Sequence, residues 1–240
     1  MLLPIGITQQ AAGGSVVYAP GMMTFNGPTA YYSSTPTTSG NLVTLVMRFN
    51  RASFTGAMWE FPAAISRTAH ARVGVLFGPS NDADTEARNK VAVYTQNSAG
   101  TVICKLVSTA NACDGSDHVM FYSFNGDTGN SIFYLDGVSA ENIGWSNRVA
   151  PTTGTLDSGA ASNAVFGQIT GNEGYMGIAD AYLSNPTDFY HPTNGLQELD
   201  EAGWTEFGSQ PLFWNQYGTM TDNKGSAGNM TANGTITGPA

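Results

Sequence analysis

Charged side chains are scarce in this sequence. Lys and Arg together number 9 and Asp and Glu 18, so charged residues make up 11% of the chain and the formal net charge is −9. Typical soluble proteins contain about 25% charged residues. A protein that binds the phosphate backbone of nucleic acid needs a cluster of Lys and Arg, which this composition does not supply. We therefore expect no direct nucleic-acid partner.

Long apolar runs are absent as well. Residues 1–5 are apolar, but Pro4 interrupts them, no basic residues precede them, and the run is much shorter than the apolar core of a secretory signal. No segment approaches the length of a membrane-spanning helix. These features predict a protein that folds in the cytoplasm where it is made and is not inserted into a membrane.

Cysteine is rare, and the two that occur, Cys104 and Cys113, are close in sequence. They lie on either side of a turn-forming stretch at residues 108–111, so in a hairpin their side chains could face each other. A chain that folds without an export signal stays where thiols are kept reduced. A disulfide is therefore one expectation, and two small buried apolar side chains are the favoured alternative.

Paired carboxylates at the spacing of a glycoside hydrolase are missing. An acid and a nucleophile must flank one glycosidic bond, and in an enzyme of this kind we expect them on one strand as Glu-x-Asp-x-Glu. The nearest cluster, Glu198, Asp200 and Glu201, lies on a polar turn beside Gly203 and is typical of a solvated helix face. We predict no catalytic residues.

Other catalytic and cofactor signatures are also absent. No serine-nucleophile elbow, phosphate-binding loop or dinucleotide fingerprint occurs. The three histidines, His70, His118 and His191, are far apart and have no partner at metal-ligand spacing. His118 lies among core-like strand residues and is predicted to be a structural histidine. The sequence therefore predicts a protein that is not an enzyme and needs no cofactor.

What the sequence does contain is a series of short β-type segments between turn-forming residues. Glycine occurs 29 times, and the best helical candidate is a short turn at residues 196–202. Strands that recur about every dozen residues, with turn signals between them, predict a β-sandwich. Outside the central stretch, the predicted strands are residues 42–49, 54–61, 72–77, 91–96 and 101–107.

The stretch at residues 114–138 is central to the prediction. Two apolar runs, residues 118–124 and 131–135, flank a turn-forming cluster at residues 125–130. Both faces of the first run are largely apolar, as expected for an inner strand of a two-layer β structure. The second run ends at Asp136, where an Asp-Gly pair supplies the positive φ that a tight turn needs.

This stretch resembles the central hairpin of laminin-G-like (concanavalin A-like) jelly-roll domains. The likeness rests on an Asp-x-His-Val strand, a glycine-rich turn and Tyr-x-Asp-Gly, followed by a glycine-bounded strand at residues 165–167 and a glycine-patterned strand at residues 174–183. The resemblance implies an all-β, two-sheet antiparallel jelly-roll sandwich at residues 25–183. An N-terminal arm at residues 1–24 and a C-terminal extension at residues 184–240 would complete the chain.

In the C-terminal extension, an aromatic segment at residues 210–214 precedes an Asn- and Gly-rich ending at residues 221–237. This arrangement resembles the ends of laminin-G-like virion proteins of tailed bacteriophages. The resemblance implies a multi-copy virion structural protein that is assembled in the host cytoplasm. It would decorate the capsid or tail through contacts with other virion proteins or with its own copies. The alternative is a carbohydrate-binding module for host-surface glycans, and a glycan hydrolase is a third option.

Aromatic residues supply the candidate binding sites. Those of the extension can anchor a subunit interface, and the alternatives are that they pack the extension onto the sandwich or stack on sugars. Asp136 and Trp145 are the candidate glycan-binding rim. The candidate interface residues are Tyr190, Trp204, Phe207, Phe213, Trp214 and Tyr217.

Calcium is a further possibility that the resemblance implies, since some laminin-G-like domains bind Ca²⁺ through oxygen ligands of their loops. Asp82 and Asp84, or Asp127 with Asn125 and Asn130, could supply such ligands. The favoured alternative is that these side chains form Asx turns, in which Asp or Asn bonds to its own nearby backbone.

Overall fold

The computed structural model describes residues 22–184, 211–214, 223 and 225–238, together with the backbone of four short strands in the remaining parts of the chain. For residues 174, 175 and 214 the description covers the backbone alone. Throughout this described part, every helix or strand is a β-strand. It contains no helix that is long and apolar enough to span a membrane.

The strands are numbered in chain order, and most of them are short. Their bounds are β1 Ile7–Thr8, β2 Val16–Tyr18, β3 Met23–Ser34, β4 Leu42–Asn50, β5 Ala63–Arg67, β6 His70–Phe77, β7 Val91–Gln96, β8 Val102–Val107, β9 Asp117–Asn125, β10 Asn130–Leu135, β11 Val138–Ser139, β12 Asn163–Ala179, β13 Tyr190–His191, β14 Gly195–Glu198, β15 Phe213–Trp214, β16 Thr231–Asn233 and β17 Ile236–Thr237.

The main sheet is antiparallel and curls into two layers joined by one long strand, β12. Its strand order is β11-β10-β9-β4-β12-β5-β6-β7-β8, and β3 runs beside β12. Residues 163–166 of β12 pair with β5, whereas residues 172–179 pair with β4. The strand therefore belongs to the first layer, with β4 and β9 to β11, at one end and to the second layer, with β5 to β8, at the other. Strands β1, β2, β14 and β13 form a separate small sheet.

A β-bulge bends β12 at the point where it passes between the layers. The register with β3 shifts between Gly167 and Ile169, and both Gly167 (φ 113°) and Gln168 (φ 64°) have positive φ. A bulge of this kind bends its strand and increases the local twist. The sequence predicted two strands here, at residues 165–167 and 174–183, and that prediction is wrong: one continuous strand, residues 163–179, contains the first and most of the second, because the glycine marks a bend and not an end.

The core lies between the two layers. Along β6, Val73, Val75 and Phe77 point inward, as strand alternation requires. Burying each large apolar side chain contributes about 1.5–3 kcal/mol relative to leaving it exposed. The largest fully buried apolar or aromatic side chains are Tyr122, Phe25, Phe49, Phe77, Phe124, Phe166 and Phe213.

The structure confirms the predicted central hairpin. Strand β9 lies between β10 and β4, and residues 118–124 are all buried. An inner strand with both faces covered has this pattern. The structure also confirms the hairpin of β7 and β8 predicted for residues 91–96 and 101–107.

The described part of the C-terminal extension is added to the jelly roll. Strand β15 pairs with β12, and β16 and β17 pair with β3. Phe213 is completely buried in the main core, and Met230 is only 3% exposed. These residues therefore stabilise the sandwich itself.

Two predictions of secondary structure are wrong. The expected strand at residues 54–61 is an irregular segment whose backbone pairs with the sheet only where Glu60 bridges to Phe77. Two of its apolar side chains are open to solvent, since Met58 is 78% and Phe61 42% exposed, whereas Phe54 and Trp59 pack against buried apolar clusters. Of the expected helical turn at residues 196–202, the first three residues lie in strand β14 instead, because their backbone pairs with β13 and β2.

Both cysteines are free and buried. Cys104 is on β8 and belongs to the main core, as does Cys113 in the loop that leads to β9. The structure thus has the favoured alternative, two small buried side chains, and not the disulfide. Burial raises the pKa of Cys104 to about 11 and that of Cys113 to about 12.

Candidate functional site

A cleft lies on the outer face of the second layer. Because side chains alternate along a strand, Leu76 of β6 and Lys105 of β8 point away from the core that their neighbours fill. Residues 141–149 border this face, since the backbone of Lys105 exchanges two hydrogen bonds with Val149, of 2.9 and 3.0 Å. The edge strand and the adjoining loop are therefore held together beside the cleft.

The loop between β6 and β7 contributes carboxylates to the cleft. The amide of Asp84 donates to Oδ1 of Asp82 at 2.8 Å, and the amide of Glu86 donates to Oδ1 of Asp84 at 3.1 Å. These are successive Asx turns, which shape the loop through short-range bonds. Ser146 donates from both its amide and its hydroxyl to Glu86 Oε2, which joins this loop to residues 141–149.

Trp145 forms the back wall of the cleft. It is 3% exposed and packs against Ala87, Ala92 and Val107. Its indole Nε1 donates to Asp84 Oδ2 at 2.6 Å, and the side-chain amide of Asn147 donates to the same oxygen at 2.7 Å. Desolvation acts to raise the pKa of Asp84, but these hydrogen bonds outweigh it and the pKa is lowered. Asp84 is thus held as an anion.

The cleft has a volume of about 550 Å³. Trp59, Met58 and Phe61 form its apolar side, and Trp59 also packs onto the cluster around Trp145. At the polar end, the ammonium nitrogen of Lys105 lies 4.9 Å from the centre of the Trp145 ring. Lys105 makes no side-chain hydrogen bond or ion pair within the described part of the chain, so its ammonium donors are open to a ligand.

Aromatic faces beside a few polar groups are the common composition of a small-molecule site. The amide of Asn147 donates to Asp84, which leaves its carbonyl oxygen as an acceptor, and Lys105 supplies donors. Such a site can bind a polyhydroxylated ligand that has both apolar faces and hydroxyl groups. In the described residues, no three His, Cys, Asp or Glu side chains converge as metal ligands.

The structure separates the two residues predicted as a glycan-binding rim. Trp145 lines the cleft, whereas Asp136 closes the turn after β10, where its Oδ1 accepts from the amide of Val119 at 2.8 Å. Its other oxygen lies 2.7 Å from Nδ1 of His118. Asp136 is not among the residues that line the cleft.

His118 is a structural histidine, as predicted. It is 8% exposed, and its Nε2 lies 3.1 Å from Oδ1 of Asp114 while Nδ1 faces Asp136. The hydrogen bond to Asp136 raises the pKa of His118. The Asp-His-Asp arrangement joins the start of β9 to the turn that follows β10.

The candidate interface residues are only partly covered by the structure. Phe213 is fully buried, so it packs the extension onto the sandwich and is not an exposed interface residue. Tyr190 and Trp214 lie in β13 and β15, but their side chains are not among those described. Trp204, Phe207 and Tyr217 lie outside the described residues.

The candidate calcium ligands take part in local hydrogen bonds. Asn125 Oδ1 accepts from the amides of Asp127 and Thr128, and Asp127 Oδ1 accepts from the side chain of Asn41. Asn130 donates its amide to the hydroxyl of Thr128 at 3.3 Å. Asn125, like Asp82 and Asp84, therefore has the Asx-turn pattern of the alternative interpretation, whereas Asp127 bonds to a distant side chain and Asn130 uses its backbone amide. Calcium binding itself stays a prediction.

Sequence reasoning missed three cleft residues, Trp59, Lys105 and Asn147. Trp59 was assigned to a strand, although the segment is irregular. Lys105 carried a usable signal, since it alternates with Cys104 and Leu106 and so has to point outward. For Asn147 no local signal exists, because its partner Asp84 is 63 residues away.

A second group of charged residues lies near the bend of β12. Glu173 is fully buried, and neither of its carboxyl oxygens has a hydrogen-bond partner among the described residues. Desolvation, followed by the nearby charge of Glu60, raises its pKa well above the ordinary value. Glu60 is itself held by Arg51 through two bonds of 2.7 and 2.9 Å.

No protein-family model matches the chain, and no curated protein matches it. Among solved structures, it is similar to a heptameric SAP-like pentraxin from Limulus polyphemus, with a TM-score of 0.52 and 11% identity over 89% of this chain and 94% of that one. It is also similar to a putative carbohydrate binding protein from Bacteroides ovatus, with a TM-score of 0.52 and 13% identity over 92% of this chain and 61% of that one.

A third structure, the LG1-3 region of the laminin alpha2 chain, has a TM-score of 0.42 and 14% identity over 67% of this chain and 31% of that one. At the identities of the first two structures, the likeness establishes the fold alone. The chain therefore has an all-β, antiparallel jelly-roll fold of the concanavalin A-like type.

Proposed function

We propose that this protein binds carbohydrate without cleaving it, through the cleft that contains Trp59 and Trp145. One observation carries the proposal: two indole side chains, the ammonium group of Lys105 and a fixed amide line the same cleft on the outside of the sheet. Sugar rings have apolar faces that pack on aromatic rings, and their hydroxyl groups need donors and acceptors at the edge.

The likeness to a putative carbohydrate binding protein supports this proposal at the level of the fold. The state of the carboxylates supports binding over cleavage. Glycosidases need one carboxyl group with a raised pKa and a second one across the bond. In this cleft the pKa of Asp84 is lowered, and both of its oxygens already accept hydrogen bonds from Glu86, Trp145 and Asn147. No cofactor is part of the proposal.

A glycan array followed by calorimetric titration tests the proposal. We expect selective binding that is lost in Trp59→Ala and weakened in Asn147→Ala. Tyr134→Ala, a partly buried aromatic residue outside the cleft, and Asn111→Ala, an exposed asparagine in another loop, are the matched controls. Absence of binding to any glycan, or equal losses in the controls, would contradict carbohydrate binding at this cleft.

As a second candidate, we propose a structural role in a bacteriophage virion, in which several copies contact one another or other virion proteins. The phage-like ending of the sequence and the charge-poor composition support it. One structural observation also favours it: Val138 on the edge strand β11 and Ile143 nearby in sequence are 67% and 79% exposed. Exposed apolar side chains beside a sheet edge are suited to protein contacts.

Incorporation into particles tests the structural role. Val138→Lys with Ile143→Lys should lower the copy number in purified particles, whereas Thr128→Lys in another turn should not. Deletion of residues 184–240 is not a suitable test of assembly, because it would remove Phe213 from the core and destabilise the fold. If the folded double variant is found in particles at the full copy number, assembly through this edge is contradicted, and the proposal of carbohydrate binding is not affected.

A further inference from the structure

A second cavity adjoins the cleft along the same irregular segment. Its volume is about 360 Å³, and Ala57, Met58, Trp59 and Phe61 line both cavities. The second cavity adds Pro28, Glu60 and Gln168 to this shared wall. The segment at residues 57–61 is thus the common boundary of two binding-sized spaces, each within the range of about 300–1,000 Å³ typical of ligand pockets.

The shared segment is fixed to the sheet near both cavities. Glu60 exchanges backbone hydrogen bonds of 3.2 and 2.9 Å with Phe77, and the carbonyl of Pro62 accepts from the amide of Gly167 at 2.7 Å. Glu60 is further held by Arg51. The aromatic wall that Trp59 and Phe61 form is therefore placed by the bend in β12 on one side and by β6 on the other.

The β-bulge places Gln168 at the far end of the second cavity. Its φ of 64° is uncommon for a residue other than glycine, and bulges often redirect a side chain in this way. Gln168 is partly exposed, and its side-chain amide makes no hydrogen bond among the described residues. An open amide beside an aromatic wall offers both a donor and an acceptor to a ligand.

We propose that the two cavities are subsites of one groove and that its ligand is an oligosaccharide chain that crosses the Trp59–Phe61 wall. This inference rests on the proposed carbohydrate-binding function and adds the class of ligand. The polar ends, with Lys105 and Asn147 in one subsite and Gln168 in the other, lie on either side of the shared aromatic wall. A single sugar ring can use one end only, whereas a chain can use both.

The charges that line the groove favour a neutral chain. Lys105 is the only cation among the residues that line the two cavities, and it is outnumbered by Asp82, Asp84 and Glu60. A polymer of uronic acids would bring one negative charge per unit toward these carboxylates and toward a protein of formal net charge −9. Neutral hexose or N-acetylhexosamine units avoid that repulsion.

A chain-length series tests the inference. The neutral probes are mono-, di-, tri- and tetrasaccharides of glucose, mannose, galactose and N-acetylglucosamine. Uronic-acid oligomers are the anionic probes. Each probe is titrated into the full-length protein. We expect affinity to rise by about tenfold or more from the monosaccharide to the longer neutral chains, and uronic-acid oligomers to bind more weakly.

Variants assign the subsites. Gln168→Gly removes the amide but tolerates the positive φ, so the fold is kept; it should weaken binding of the longer chains and leave the monosaccharide unchanged. Asn147→Ala should weaken the binding of the monosaccharide and of the longer chains alike. Equal affinity for monosaccharide and longer chains, or tighter binding of uronic-acid oligomers, would overturn the inference while carbohydrate binding stands. No binding by any probe or array glycan would overturn both.

Discussion

The indole nitrogen of Trp145 donates to Asp84 Oδ2 across 2.6 Å, and this bond joins two loops that are 61 residues apart in sequence. Asn147 donates to the same oxygen at 2.7 Å. One carboxylate therefore sets the orientation of the aromatic back wall and of the amide at its edge. The geometry of the proposed binding cleft depends on this single side chain.

Replacement of Asp84 by Ala should weaken both the fold and the site. It leaves the indole nitrogen of Trp145 buried without its acceptor, and an unsatisfied buried donor costs about 1–3 kcal/mol. We expect a loss of unfolding free energy in that range, measured by urea denaturation. Glycan affinity should fall by at least about tenfold, because Asn147 loses its orientation.

Asp127→Ala is the matched control for this prediction. Asp127 accepts a side-chain hydrogen bond from Asn41 on the exposed surface, away from the cleft lining. Its replacement should change stability by less than about 1 kcal/mol and leave glycan affinity unchanged. Asp84→Ala with unaltered affinity would show that the carboxylate does not position the site.

The bond between Trp145 and Asp84 also shows why the fold could be predicted from the sequence better than the binding site could. The burial of residues 118–124 could be predicted from local sequence, since a short, largely apolar run between turn-forming residues is typical of a strand covered on both faces. Lys105 could have been placed on the outer face by the same reasoning. Trp59 and Asn147 could not, because irregular loops and contacts between distant residues place them, and no periodicity encodes such contacts.

Glu173→Gln should flatten the dependence of stability on pH. Burial and the charge of Glu60 raise the folded-state pKa of Glu173 well above its ordinary value of 4.5. The unfolded chain therefore loses this proton at a lower pH than the folded protein does. Stability is highest below the unfolded pKa and falls as the pH rises from there through the folded-state pKa, by about 1.4 kcal/mol for each unit between them.

Denaturation of the protein and of Glu173→Gln over a series of pH values measures this slope. Asn111→Ala, at an exposed position without a titratable group, serves as the control and should keep the slope of the parent protein. If Glu173→Gln keeps it too, the buried carboxyl is not the group that titrates.

Asp136→Asn should lower the pKa of His118. The hydrogen bond to Asp136 is the main cause that raises this pKa above its ordinary value of 6.5, with a smaller contribution from Asp114. Asn keeps an oxygen for the amide of Val119 and tolerates the φ of 52° at this position. Titration of the imidazole Cε1 proton by NMR gives the pKa directly.

The same pair makes stability depend on pH. The folded-state pKa of His118 is raised above its unfolded value. The contribution of His118 to the free energy of unfolding is therefore complete below the unfolded pKa and is lost as the pH rises through the folded-state pKa. Asp136→Asn should remove most of that loss. The control Asp127→Asn should leave the imidazole titration unchanged, and an unshifted His118 in Asp136→Asn would refute the assignment.

Gly167→Ala should be among the most destabilising glycine replacements in the described structure. A Cβ at this position would lie 2.6 Å from the ring of Phe25 and 2.9 Å from the carbonyl oxygen of Ala30, at a φ of 113°. Gly40 provides the comparison, since it has a φ of 62° but nothing within 4 Å of an added Cβ. We expect Gly40→Ala to lower the free energy of unfolding by about 1–2 kcal/mol, because alanine is strained at a positive φ.

Gly167→Ala should lower the free energy of unfolding by about 1–3 kcal/mol more than Gly40→Ala does, because the added methyl group also overpacks the core. Equilibrium denaturation of the two variants measures the difference. Equal losses would mean that β12 can move away from Phe25 and that the bend is less constrained than its contacts indicate. In that case Gln168, the next residue, would also lose its fixed position in the groove.

The two thiols should be unreactive in the folded protein. Cys104 and Cys113 are 0% and 1% exposed, and burial raises their pKa values to about 11 and about 12, so the nucleophilic thiolate is scarce near neutral pH. A thiol-specific chromogenic disulfide reagent should therefore label neither cysteine under native conditions and both after denaturation. A reducing agent should leave the melting temperature unchanged, because there is no disulfide to break. Rapid labelling of the native protein, or an intact mass that rises on reduction, would show that the cysteines are exposed or bonded in solution.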